Sequence, residues 1–254
     1  MTVHFIGAGP GAPDLLTLRG AERIARCPLV LYAGSLVPRA VVARARPDAR
    51  VLDTSGMTLD EIVGHMAEAH AAGEDVARVH TGDPCLFGAI GEQLRRLDAL
   101  GIPYEVVPGV SSFTAAAAAL RRELTLPGVS QAVIVARAAG RTPVPDGQRL
   151  EELARHRATL AIFLSAGLVE EVAAALLPAY GPDCPVAVVH RASWPDERIL
   201  RGTLATLAAQ VKEAGVGATA MILVGPALAA GDFPDSRLYD SGFAHGFRAA
   251  REEP

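Results

Sequence analysis

Two α/β domains, a parallel N-terminal sheet followed by a mixed C-terminal sheet with flanking helices, are the fold this chain of 254 residues predicts. Three observations lead to it. Short apolar, β-rich runs alternate with amphipathic segments up to residue 120, the pattern of parallel strands joined by crossover helices. The alternation restarts at Gln131, after a stretch containing Pro127-Gly128. Three strand ends run directly into small-residue turns: Gly7-Ala8-Gly9-Pro10-Gly11, Gly82-Asp83-Pro84 and Pro108-Gly109-Val110-Ser111-Ser112. The expected boundaries are an N-terminal domain over 1–116, a linker over 117–130, a C-terminal domain over 131–240 and a tail over 241–254.

Taken in order, Val3 to Gly7 reads as a strand and Leu15 to Arg26 as a helix with Asp14 as N-cap. Leu29 to Tyr32 is a second strand, Pro38 opens a short helix, and Val51-Leu52 is a short strand. Thr58 to Ala72 is an amphipathic helix stopped by Gly73. Val76 to His80 is a buried strand, Ile90 to Leu100 a helix ended by Gly101, and Tyr104 to Val107 the fifth strand. Phe113 to Leu120 is an alanine-rich helix. In the second half, strands are expected at 131–136, 159–164, 186–190 and 220–225, with 199–202 added antiparallel to the third. Helices are expected at 147–156, 169–180 and 204–214. Phe233, Tyr239, Phe243 and Phe247 are expected to pin the tail to the body.

Composition narrows the function. Half the residues are hydrophobic, a fifth are charged and the net charge is -4. That balance suits a globular enzyme and gives no general attraction to nucleic acid or an anionic membrane. No stretch is apolar and long enough to span a bilayer. Cys27, Cys85 and Cys184 form no CxxC pair, which suggests reduced cysteines in a cytoplasmic protein. Of the 24 basic residues only Lys212 is a lysine. That is either compositional bias or a means of binding several carboxylates through arginine forks.

The turn after the first strand fits the dinucleotide fingerprint GxGxxG/A. A nicotinamide site also wants an acid at the end of the second strand, where Tyr32-Ala33-Gly34-Ser35 stands. Pro10 has no N–H to offer a phosphate, and no Gly-Lys-Ser/Thr follows to make a Walker loop. The turn suits close backbone approach to a ligand, or is simply a tight strand-to-helix connection. Pro84 holds Asp83 extended, and the run Cys85-Leu86-Phe87-Gly88 would lay apolar groups under a ligand, although Asp-Pro also starts ordinary turns. Ser111 and Ser112 can cap the following helix, contact a ligand, or do both. All three turns lie at carboxyl ends of predicted parallel strands, where open α/β sheets bind ligands. No HxxxH, HExxH or zinc-type Cys/His spacing occurs, so no metal site is expected. No GxSxG elbow is present.

Together with Asp14-Leu15-Leu16-Thr17-Leu18-Arg19-Gly20 and Ala220-Met221-Ile222-Leu223-Val224-Gly225, these turns make a set that resembles the tetrapyrrole methylases. Those are S-adenosylmethionine-dependent enzymes of sirohaem and cobalamin biosynthesis, and the resemblance spans nearly the whole chain. It is strongest to the branch that methylates C-11 of precorrin-4 to give precorrin-5. The segments carrying that finer likeness are Leu31 to Val37, Arg122 to Pro127, Ala192 to Glu197, Ser236 to Asp240 and His245 to Arg248. Uroporphyrinogen-III methyltransferases usually read Tyr-Asp-x-Leu-Val where Ala33 and Gly34 stand here, which favours a later C-methylation.

The resemblance implies a homodimer with its active site in a trough between the two domains. It also implies cofactor contacts from Gly9, Pro10 and Gly11, from Thr81, Gly82, Asp83 and Leu86, and from Ser111 and Ser112. Leu164, Ala192, Thr219 and Ala220 would add contacts from the second domain. Asp83 is the candidate catalytic residue through its position, although an enamine-like carbon needs no strict base. Arginine is the expected reader of the macrocycle's carboxylates. Arg122 is put forward first, among Arg39, Arg78, Arg121, Arg137, Arg191 and Arg198. The alternatives are a cobalt-precorrin-4 substrate, a nicotinamide-dependent Rossmann-like enzyme, and a silent ligand-binding protein.

Overall fold

The computed structural model describes residues 1–251. Its first sheet holds β1 (Val3–Gly7), β2 (Leu29–Tyr32), β3 (Arg50–Asp53), β4 (Val76–His80) and β5 (Tyr104–Val107) in the order β3-β2-β4-β1-β5. Every pairing is parallel. The crossovers carry α1 (Leu18–Arg26), α2 (Arg39–Val42), α3 (Leu59–Ala71) and α4 (Gly91–Leu100), and α5 (Ser112–Leu120) follows the last strand.

Strand alternation divides the apolar residues between two faces. Val3, Phe5, Leu29, Leu31 and Val76 pack with Met66 and Leu97 on one face. Ile6, Val30, Tyr32, Ala77 and Val79 pack with Ile24 on the other. Burial on both faces is why these strands read as continuous apolar runs.

The helix starts follow their capping chemistry. Thr58 and Glu61 close a full capping box on α3. At α1 the cap is Thr17, not Asp14. Pro13–Leu15 makes a 3-10 turn, so the α-helix begins later and the Thr17 hydroxyl accepts from Gly20 N. The alanine-rich helix runs on to Leu120, into the stretch expected to be linker.

The second sheet holds β6 (Val133–Arg137), β7 (Thr159–Phe163), β8 (Pro185–His190), β9 (Arg198–Thr203) and β10 (Ala220–Val224) in the order β6-β7-β10-β8-β9. β6 and β7 are parallel, and β10 runs antiparallel to both β7 and β8, so the sheet is mixed. Its helices are α6 (Leu150–Ala154), α7 (Val169–Tyr180) and α8 (Leu207–Glu213). Leu160, Ile162, Val188, Ile222, Leu176 and Leu207 centre its core.

The chain forms two compact units. The first is Met1–Ala119 together with Arg191–Arg198; the second is Leu120–His190 and the residues from Ile199 onward. The tail differs from expectation. Tyr239 is 81% exposed and Phe247 fully so, so these rings do not pin it. The Arg248 guanidinium gathers the segment instead, with Nη2 donating to the carbonyls of Leu238, Asp240 and Phe243. Residues 252–254 of the expected tail lie outside the described residues.

Candidate functional site

The strand order sets β4, β1 and β5 side by side with their carboxyl ends together. The three small-residue loops therefore meet at one edge. A Cβ on Gly7 would lie 2.5 Å from Gly109 Cα and 2.6 Å from Gly82 O, and one on Gly109 would collide with Gly82 O. Only bare backbone fits there. Gly9 and Gly82 exchange hydrogen bonds, Gly9 N to Gly82 O at 3.2 Å and Gly82 N to Gly9 O at 2.8 Å. Above Gly82 the space is open: an added Cβ would meet nothing nearer than Ser112 N at 3.8 Å. The result is a backbone-walled cradle with room over it, which suits a ligand held close to the main chain.

Asp83 ties two of these loops together. One carboxylate oxygen accepts from Cys85 N at 2.8 Å and the other from Gly109 N at 3.0 Å. Ser111 is buried, and its carbonyl accepts from the Thr114 hydroxyl and from Ala115 N. Leu86 closes a turn onto the Asp83 carbonyl. Thr81 is half-buried between β4 and this loop. The structure thus brings Gly9, Pro10, Gly11, Thr81, Gly82, Asp83, Leu86, Ser111 and Ser112 to one sheet edge.

A second layer was not legible in the sequence. Residues 191–198 belong to the first unit and strap its first loop. Trp194 Nε1 donates to Pro10 O at 2.9 Å, and the Ser193 hydroxyl accepts from Ala12 N at 3.0 Å. The indole lies where a Cβ on Gly11 would fall. Arg191 stacks over the indole at 4.8 Å and pairs with Asp196. Ser193 has φ 69°, and Glu197 accepts from its N–H. Ala192, expected in the second domain, travels with this strap. The available signals were the family likeness carried by Ala192 to Glu197 and the fact that Trp194 is the chain's single tryptophan.

Beneath the cradle two basic side chains are buried on β4. His80 stacks on Phe5, and its Nε2 has no hydrogen-bond partner. Burial, reinforced by the Arg78 charge, pushes His80 down to about 3, so the ring stays neutral. Arg78 donates to Gln93 Oε1 and to the Thr54 hydroxyl, and burial lowers it to about 10. Arg78 was a candidate reader of substrate carboxylates. At 4% exposure it does not serve as one, because strand alternation turns it into the core.

In the second unit, Leu164, Thr219 and Ala220 share one edge of the sheet. The β7–β10 register, Ile162 against Ile222, carried on two residues sets Leu164 opposite Ala220. Leu164 and Thr219 both have positive φ, 55° and 52°, and Leu164 is 68% exposed. Arg122 is half-buried, with Nη1 on Ala230 O at 3.0 Å. Arg137 holds the carbonyls of Ala138, Thr142 and Pro143. Arg39 and Arg121 are exposed.

The hydrogen bonds also bear on the dinucleotide fingerprint. Ala8 N is used by His80 O, Gly9 N by Gly82 O, and Ala12 N by Ser193, while Pro10 has no N–H. A pyrophosphate site needs these amides turned outward at a helix N-terminus. Here α1 begins only at Leu18. The cradle can take a compact ligand against bare backbone, but it does not offer a phosphate nest. Among the described residues no group of three or more His, Cys, Asp or Glu is placed to hold a metal, and no helix is long and apolar enough to cross a membrane.

Comparison with known proteins agrees with this geometry. The sequence profile of the Tetrapyrrole (Corrin/Porphyrin) Methylases matches residues 2–208. A precorrin-4 C(11)-methyltransferase of Pseudomonas aeruginosa is 54% identical over 248 residues, 98% of this chain and 99% of that one. The X-ray structure of a cobalt precorrin-4 methyltransferase is similar with TM-score 0.88 at 46% identity, covering 90% of this chain and 96% of the other. A uroporphyrin-III C-methyl transferase of Thermus thermophilus, complexed with S-adenyl homocysteine, is similar with TM-score 0.75 at 31% identity, covering 90% and 99%. With its two sheets, its backbone cradle and a profile match over most of its length, the chain belongs to the tetrapyrrole (corrin/porphyrin) methylases.

Proposed function

We propose that this protein is an S-adenosylmethionine-dependent methyltransferase that methylates C-11 of precorrin-4 to give precorrin-5. The observation that carries the reading is the 54% identity, over nearly the full length of both chains, to a precorrin-4 C(11)-methyltransferase. The 46% identity to a cobalt precorrin-4 methyltransferase supports the cobalt macrocycle as the second reading.

The cradle fits the cofactor, since Gly7 and Gly109 let the loops close backbone to backbone and Gly82 leaves open space beside them. When bound, the sulfonium supplies an activated methyl group. The residues of this chain then have to position and exclude. Gly9, Pro10 and Gly11 form the first wall, with the Pro10 carbonyl fixed by Trp194. Thr81, Gly82, Asp83 and Leu86 form the second, and Ser111 and Ser112 the third. Leu164, Ala192, Thr219 and Ala220 are proposed as further cofactor contacts. Each carboxylate oxygen accepts a backbone N–H, which supports Asp83 as the residue that orients the two loops and not as a base. Holding the acceptor carbon in line with the methyl group accounts for about 7–11 kcal/mol of barrier. Arg122 spends one N–H on Ala230 O and has others for a substrate carboxylate. The enzyme is read as a cytoplasmic homodimer; its three free cysteines suit a reducing compartment.

The deciding experiment is incubation with labelled S-adenosylmethionine and, separately, precorrin-4 and its cobalt form, followed by mass spectrometry. One added methyl on the metal-free macrocycle is the expected result. Transfer only to the cobalt form selects the second reading, and transfer to neither sinks both. Calorimetry should detect S-adenosylhomocysteine and not NAD.

A further inference from the structure

Arg78 and Gln93 lie outside every motif that marks the site, yet they connect its floor to one of its loops. Gln93 is 5% exposed. Its Oε1 accepts from Arg78 Nε at 3.1 Å, and its Nε2 donates to Ala89 O at 2.9 Å. Arg78 is held in turn by Thr54, whose hydroxyl also donates to Tyr32 O at the end of β2. Ala89 closes a turn in an unfavourable conformation. Phe87 has φ 55° and Ala89 φ 50°, both left-handed without being glycine. Gly88 between them has no room for a Cβ, which would run into Pro84 O. Such backbone persists only where its surroundings hold it.

We propose that Arg78 and Gln93 are positioning residues: Arg78 fixes the orientation of the Gln93 amide, and the amide holds the Phe87–Ala89 turn and so the Asp83 loop ready for ligand. The residue types required follow from the bonds. The Gln93 amide accepts from a guanidinium and donates to a carbonyl at once, which neither a carboxylate nor an apolar side chain can do. A glutamate at 93 keeps the first bond, charge-assisted, and loses the second. Buried arginine with neutral partners suits this task, because a carboxylate there would bind Arg78 and leave Ala89 O unserved.

The test uses full-length protein with Gln93→Glu and, separately, the double replacement Arg78→Met with Gln93→Met. The double replacement removes both buried polar groups together, which folded cores tolerate. Hydrogen–deuterium exchange without ligand is the first readout. The peptide covering 83–91 should exchange about fivefold faster in both variants, the loss of one hydrogen bond, while residues 94–100 exchange as in the parent. S-adenosylhomocysteine should bind about fivefold more weakly to Gln93→Glu, whose melting temperature stays near the parent's. This second arm rests on the cofactor reading above; the exchange arm does not. Unchanged exchange over 83–91 in either folded variant overturns the proposal. If the parent fails to bind S-adenosylhomocysteine while the exchange response appears, the positioning role stands and the cofactor reading falls.

Discussion

Asp83→Asn should slow methyl transfer about fivefold, and Asp83→Ala about thirty- to a hundredfold. The difference follows from the two bonds the carboxylate accepts. The bond to Gly109 N is part-buried and joins residues 26 positions apart, whereas the bond to Cys85 N is exposed and local. An asparagine can keep one acceptor. It will turn its carbonyl oxygen to Gly109 N and leave Cys85 N to water, losing chiefly the charge assistance, about 1 kcal/mol. Alanine frees both loops and leaves the Gly109 N–H without a partner, about 2–3 kcal/mol in total. The assay is the second-order rate constant for the cofactor in single turnover, with S-adenosylhomocysteine affinity measured on the same variants. Affinity should fall in step with rate. Equal losses of about 10²–10⁴-fold in both variants, with affinity unchanged, would refute the orienting role and make Asp83 a general base.

Other consequences are as direct. His80 sits at about 3 against an ordinary 6.5, so the unfolded chain binds the extra proton between those values. Its stability contribution is complete above pH 6.5 and is lost as the pH falls toward 3. Urea titrations should show about 2 kcal/mol lost from pH 7 to pH 5, and His80→Leu should flatten that slope. Gly11→Ala forces the new methyl into the Trp194 ring. It should cost about 1–3 kcal/mol of stability and shift the fluorescence of the single tryptophan; an unchanged spectrum would argue against the strap. Arg122→Ala should weaken macrocycle binding and leave S-adenosylhomocysteine binding intact by calorimetry, whereas equal loss of both would make the residue structural.

Much of this protein is written locally. Alternation of apolar runs and amphipathic segments determined two α/β sheets, because strand and helix periods are properties of consecutive residues. Gly7 to Gly11, Gly82 to Pro84 and Pro108 to Ser112 marked the three loops, since turns at strand ends need small residues wherever backbones must meet. The sequence also carried the likeness to the tetrapyrrole methylases, which the profile match bears out. Tertiary structure decided what depends on distance. Strand order β3-β2-β4-β1-β5 made neighbours of loops that are some 25 to 100 residues apart in the chain. Folding brought residues 191–198 onto Pro10, though nothing near Pro10 anticipates Trp194. It turned Arg78 inward, where its place near a strand end had made it a candidate reader of carboxylates. It left Tyr239 and Phe247 in solvent, where their apolar character suggested anchors. The physical reason is common to these cases: a side chain's periodicity is set by its neighbours in sequence, but its partner is set by the packing of elements remote from it.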